Sequence, residues 1–292
     1  MKKRAKRKSD ILLALVFLAG LSLLLYPAVS NYYNSRLQSG VISDYQQQVN
    51  TGDNEAYARM ISQAKTYNRQ LLKRSNPFTL NVEQQQRYEA LLNLSGNGVM
   101  GYLEIPCIDC SLPVYHGVEE TVLQQAVGHI EWTSLPVGGE DTHCVLSGHR
   151  GLPTADLLTH IDRMRLGDRF YLNVLGERLE YQVDQIKVVL PDDTTYLTVE
   201  EGRDLVTLLT CTPYGINSHR LLVRGSRVLD GQSTVEQLLL PNEVEEISLI
   251  YVLPVTLLLV LALAGTGMGV SGLVKKTCKE KKVCNERHET TQ

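Results

Sequence analysis

Two long uncharged runs bracket this chain and restrict what it can become. The first extends from Ile11 to about Val29, with no charged residue before Arg36. The second extends from Ile247 to Val274. About 20 apolar residues in a helix cross a hydrocarbon core of roughly 30 Å, so both runs are long enough to span a bilayer. Basic tails lie just beyond them. Residues 1–10 carry a net charge of +5 and residues 275–292 a net of +3, which leaves −11 for the rest of a chain whose total is −3. Positive flanks stay in the cytoplasm. The chain is therefore expected to pass the cell membrane twice, with both termini inside and residues 31–246 outside. An acidic body with basic tails argues against a nucleic-acid partner, which needs a basic face on the folded domain.

The first run has a second reading. Ala28-Val29-Ser30 sets small residues where a signal peptidase would cut. The run is longer than a signal h-region, which favours an uncleaved anchor.

Six cysteines are present. Cys278 and Cys284 fall in the cytoplasmic tail. Cys107-Ile108-Asp109-Cys110 is a lone CxxC with no second half for a zinc site. In a strand, positions i and i+3 face opposite ways, so the two thiols are read as structural and not as a disulfide. No metal or cofactor is expected.

Between the two runs the chain changes character. Residues 41–74 show helical spacing: Tyr45, Val49, Tyr57, Met60, Ile61, Ala64, Tyr67 and Leu71 recur among polar neighbours. Asp53 suits an N-cap. The helix must end before Pro77, since the residue preceding proline avoids the α region. A second short helix is expected over Val82 to Leu92. From Gly98 onward, short β-branched runs separated by Gly, Pro and Asp read as strands. They are Met100–Ile105, Thr142–Leu146, Arg169–Val174, Leu179–Val189, Asp204–Thr210 and Arg220–Arg224. Six to eight strands over this length suggest a barrel or a sandwich.

Three residues stand at strand ends. Cys211 closes the run Val206-Thr207-Leu208-Leu209-Thr210, beside the breaker Thr212-Pro213-Tyr214-Gly215. A buried core thiol is the commoner fate of a cysteine. Arg220 opens the next strand nine residues later, and a hairpin would return it towards Cys211. Guanidinium is a fixed donor for a developing oxyanion. His149 lies in Ser147-Gly148-His149-Arg150-Gly151, where flanking glycines allow a tight turn. A nucleophile, a proton-transfer group and an oxyanion donor in one extracellular domain fit acyl transfer.

The segments Leu208-Leu209-Thr210-Cys211-Thr212-Pro213-Tyr214-Gly215 and His219-Arg220-Leu221-Leu222-Val223-Arg224-Gly225, with Ser147-Gly148-His149-Arg150-Gly151, resemble the sortases of Gram-positive cell walls. The likeness is greatest to the class C, pilus-assembling sortases and covers about residues 40–275. It implies a mainly β fold: an eight-stranded sortase-type barrel with N-terminal helices and a lid, flanked by two transmembrane helices. The domains would be a cytoplasmic basic tail (1–10), a transmembrane helix (11–29) and an N-terminal helical region with lid (31–96). The barrel (97–230), a second transmembrane helix (247–274) and a second basic tail (275–292) would follow.

The family's catalytic Cys, His and Arg map onto Cys211, His149 and Arg220. The resemblance implies cleavage of LPXTG-like sorting signals between Thr and Gly, and transfer of the acyl group to a lysine of the next pilin. Pilin subunits and membrane lipid would be the partners. The family lid carries Asp-Pro-aromatic over the active site, and here the match is Asn76-Pro77-Phe78. Asn76 can accept a hydrogen bond from Arg220 but brings no charge, which implies a more weakly latched lid.

Rival readings differ in specific residues. A papain-like protease has Cys before His, the reverse of this chain, and a caspase-like motif is absent. A sortase that anchors proteins to peptidoglycan would normally lack the lid and the second membrane helix. A non-enzymatic, membrane-anchored surface protein would end in its own sorting signal. The nearest candidate, Leu240-Pro241-Asn242-Glu243, lacks the Thr-Gly pair.

Overall fold

The strands close into a barrel whose sheet order departs from chain order. The computed structural model describes residues 2–74 and 78–229. The expected second membrane run, the basic tail after it, a short helix expected near Val235–Leu240, and Asn76 and Pro77 of the lid lie outside the described residues.

Helix α1 (Lys2–Thr51) runs unbroken through the first apolar run and beyond it, with Pro27 inside. Among the described residues it is the one helix long and apolar enough to cross a membrane. Its first exposed stretch, with Leu15, Phe17, Leu23 and Leu24, is covered by no other part of the described protein. Farther along, one stripe turns inward: Gln38, Ile42 and Tyr45 are buried at helical spacing. The Tyr45 hydroxyl donates to Met100 O (3.0 Å) and accepts from Leu175 N (2.8 Å), and burial pushes its pKa up to about 12.

Helix α2 (Asn54–Leu71) starts where expected. The Asp53 carboxylate accepts from Glu55 N and so satisfies one of the orphan amides of the first turn. Its inward stripe holds Tyr57, Ile61, Ala64, Tyr67 and Asn68. Asn68 is polar and buried, yet both ends of its amide are used. Nδ2 donates to Leu135 O and Oδ1 accepts from Leu135 N, so its burial leaves no orphan. Helix α3 (Val82–Ala90) is set by a capping box in which Asn81 and Gln84 exchange side-chain and backbone bonds.

Six strands match the expected runs: β1 (Val99–Ile105), β4 (Thr142–Ser147), β5 (Arg169–Val174), β6 (Glu177–Val189), β7 (Asp204–Thr212) and β8 (His219–Arg227). Two more, β2 (Cys110–His116) and β3 (Val127–His129), complete the barrel; the four-residue helix α4 (Glu120–Leu123) lies between them. The closed order is β1-β2-β3-β4-β7-β8-β6-β5. The pairs β2–β3 and β4–β7 are parallel and the others antiparallel.

Alternate residues fill the interior, among them Cys144 and Leu146 of β4, Val206 and Leu208 of β7, and Leu221 and Val223 of β8. Val145, Leu209 and Leu222 consequently face out, in a second apolar cluster with Val189, Leu197, Ile130 and Trp132.

The CxxC segment is not a strand, which corrects the geometry assumed from sequence. Pro106–Ile108 is a 3-10 turn, Asp109 takes a left-handed conformation (φ 49°), and Cys110 opens β2. Both thiols are nonetheless free. Cys110 Sγ donates to Leu157 O at 3.6 Å, and burial pushes its pKa up to about 12, so it sits as a thiol within the packing.

Candidate active site

Cys211 and Arg220 are direct partners across β7 and β8. Each shares strand parity with the outward residue two positions away, Leu209 in one case and Leu222 in the other. The thiol and the guanidinium therefore stand on the outer face of the barrel, at its open end. The return over residues 213–218 joins the two strands, which is why nine residues of separation in the chain become adjacency in space. Arg220 Nη1 donates to the carbonyls of Asn217 and His219, so its own loop holds the guanidinium.

His149 follows β4, which pairs in parallel with β7 up to Ser147 and Leu209. Two hydrogen bonds continue that pairing past the strand end. Gly148 N donates to Leu209 O (3.1 Å), and the buried Thr210 hydroxyl donates to Gly148 O (2.8 Å). One residue beyond each of these come His149 and Cys211. The glycine lets the loop pack closely, because a Cβ at position 148 would lie 2.9 Å from Leu158 and Val127 side-chain atoms and they would have to shift. The structure thus brings His149, Cys211 and Arg220 to adjacent ends of β4, β7 and β8.

Two further side chains belong to this cluster and escaped sequence reasoning. Glu120 of α4 places Oε2 3.4 Å from His149 Nε2, within ion-pair reach and outside hydrogen-bonding geometry. Its carboxyl is held below the ordinary range, first by a hydrogen bond from Gln124, with the His149 charge contributing. No local pattern could reveal it, since it lies 29 residues before His149 and on a different element. Arg150 does have a local signal, its place in the Gly-His-Arg-Gly turn. Its guanidinium donates to Thr159 O, to the Thr212 hydroxyl and to Asp162 (2.5 Å), so it fastens the His149 loop to the end of β7.

Leu197 packs on the outer apolar face with Val145, Leu209 and Leu222, so the segment around it roofs that face. Charges anchor that roof: Arg224 on β8 and Arg203 both reach Asp184 and Glu200. Burial is the largest influence on Asp184 and raises its pKa, but hydrogen bonds from Arg224, Ser226 and Arg203 together outweigh it and hold the carboxylate below its ordinary range. A cavity of about 280 Å³ lies at the side of the roof, lined by Trp132, Leu197 and Val199 among others. Phe78 also lines it, edge-on to Trp132 with ring centroids 5.1 Å apart. Among the described residues no cluster of His, Cys, Asp and Glu could hold a metal ion.

Comparison with known proteins places these features in context. Residues 103–228 match the sortase domain. Sortase C1 from Streptococcus agalactiae has a structure similar to this one, at 45% identity and a TM-score of 0.63. The match covers 65% of this chain and 98% of that one. Sortase C from Streptococcus pneumoniae is 44% identical with a TM-score of 0.58, over 65% of this chain and 97% of its own. Sortase D from Bacillus subtilis is 29% identical over 51% of this chain and 74% of its own length.

Proposed function

Because the chain belongs to the sortase family and is a sortase transpeptidase with class C enzymes as its structural neighbours, we propose that it joins pilin subunits at the cell surface. The supporting observation is the pairing of Cys211 with Arg220, with the His149 loop pinned to the same strand end.

Cys211 attacks, as thiolate, the Thr carbonyl of an LPXTG-like signal. Arg220 donates to the developing oxyanion. As the Thr–Gly bond breaks, His149 gives a proton to the leaving Gly amine, and a thioester to Cys211 remains. A lysine amine of the next pilin then attacks that thioester and loses its proton to His149. The product is a Thr–Lys isopeptide bond, and the thiolate is regenerated. Asn76, Pro77 and Phe78 act as a lid over this site. The apolar part of α1, with a second span at 247–274, holds the barrel outside the membrane.

Mass spectrometry of the enzyme mixed with pilins tests this reading. A thioacyl adduct on Cys211 and a Thr–Lys isopeptide are expected, both lost in Cys211→Ala. An adduct that resolves only onto peptidoglycan amines would replace pilus assembly with wall anchoring. A Cys211→Ala variant that still polymerises pilins would remove the mechanism.

A further inference from the structure

Helix α1 serves as a ruler for the barrel. From Ile11 to Ser30 it holds 20 residues, which at 1.5 Å per residue make about 30 Å, the thickness of a hydrocarbon core. Exposed Tyr26, Tyr32 and Tyr33 mark the outer end of this stretch, where aromatic side chains favour the interface. The helix meets the barrel directly afterwards. Asn31 Oδ1 accepts from Asp156 N, Asn31 Nδ2 donates to the Asp156 carboxylate, and Asn34 Nδ2 donates to Thr154 O. Asn34 lies about 6 Å past Ser30 along the helix axis. The headgroup layer on each side of a bilayer is itself roughly 5–7 Å thick.

Thr154 and Asp156 belong to the loop that begins with His149. Gly151, in the same loop, abuts the Tyr214 ring of the turn that joins Cys211 to Arg220, at a distance where an added Cβ would lie 2.8 Å away. The opposite end of the barrel sits far up the ruler. Gly176, in the β5–β6 turn, is the neighbour of Val49, which lies about 28 Å beyond Ser30. The active-site end is thus the membrane-proximal end. It exposes large apolar side chains there: Tyr214 at 60%, Ile216 at 71% and Leu166 at 66%. Residues 150–168 carry three arginines and three aspartates, so apolar contact and not charge would attach this end.

We infer that the catalytic end of the barrel docks on the outer leaflet, with Tyr214, Ile216 and Leu166 in the headgroup layer and Cys211 close to the bilayer surface. This deepens the proposed function and rests on the membrane-anchor reading of α1.

Trp132 is the sole tryptophan, so depth can be read from single reporters. In a Trp132→Phe background, the full chain is placed in phosphatidylcholine vesicles whose acyl chains are brominated near the glycerol. Leu24→Trp reports the anchor, Ile216→Trp and Leu166→Trp the catalytic end, and Glu177→Trp the far end. Loss of emission is expected at 24, 216 and 166 and not at 177. Quenching at 24 with none at 216 and 166 overturns the docking and leaves the anchor standing. No quenching at 24 overturns the anchor reading and the docking with it, while the chemistry of Cys211 would be untouched.

Discussion

Thr210→Val removes one hydroxyl that joins the strand of Cys211 to the loop of His149. The side chain is fully buried, its Oγ1 lies 2.8 Å from Gly148 O, and valine keeps nearly the same shape. The loss leaves a buried carbonyl without this donor, a cost of about 1–3 kcal/mol. The added methyl recovers up to about 0.8 kcal/mol by burial. A net loss of about 1–2 kcal/mol corresponds to a fall in Tm of roughly 3–6 °C for a domain of this size. Activity should suffer beyond that. Gly148 is held to β7 by only one other backbone bond, to Leu209. A displacement of His149 by about 1 Å costs on the order of 100-fold in rate.

The assay pairs thermal unfolding with kcat/KM for transfer of a sorting-signal peptide to an amine. Thr210→Val is expected to show both losses, and Thr210→Ser, which keeps the hydroxyl, to recover most of both. A Thr210→Val enzyme with reduced Tm but wild-type kcat/KM would refute the positioning argument. One with unchanged Tm would refute the energetic one.

Three other outcomes follow from single features. Glu120→Gln deletes the negative charge 3.4 Å from His149 Nε2; kcat/KM should fall several-fold with little change in Tm, and an unchanged kcat/KM would exclude a role for the pair. Asn76→Asp should latch the lid more firmly through Arg220 and slow peptide cleavage; an equal or faster rate would sink the weak-latch idea. His129 is buried, with its pKa lowered to about 3 by desolvation, against roughly 6.5 in the unfolded chain. Its folded pKa is depressed, so the unfolded state binds the extra proton first, and stability is intact above pH ~6.5 and falls by up to about 1.4 kcal/mol per pH unit below it. Unfolding midpoints measured at successive pH values should show this slope in the wild type and a shallower one in His129→Gln.

The sequence by itself determined the elements and the chemistry they carry. Asp53 and the tyrosine-rich stripe of α2, six of the eight strands, and the strand-end positions of Cys211, His149 and Arg220 all follow from spacing within a few residues. Helix and strand periods and caps are local, so such a reading finds them. The strands β2 and β3 escaped it. One starts from a CxxC turn and the other is three residues long, so neither shows a period long enough to recognise.

Tertiary structure decided what no local pattern contains. The parallel pairing of Ser147 with Leu209 joins residues 62 positions apart, and it exists because closing the barrel buries both faces of the apolar run. That pairing puts His149 beside Cys211. The same closure swings α4 in to set Glu120 against His149, and lays the loop at Thr154 on α1. Where α1 meets the barrel is likewise a property of packing: the bonds from Asn31 and Asn34 to the loop at Thr154 and Asp156 join residues about 120 positions apart, and both partners must be folded before that contact exists.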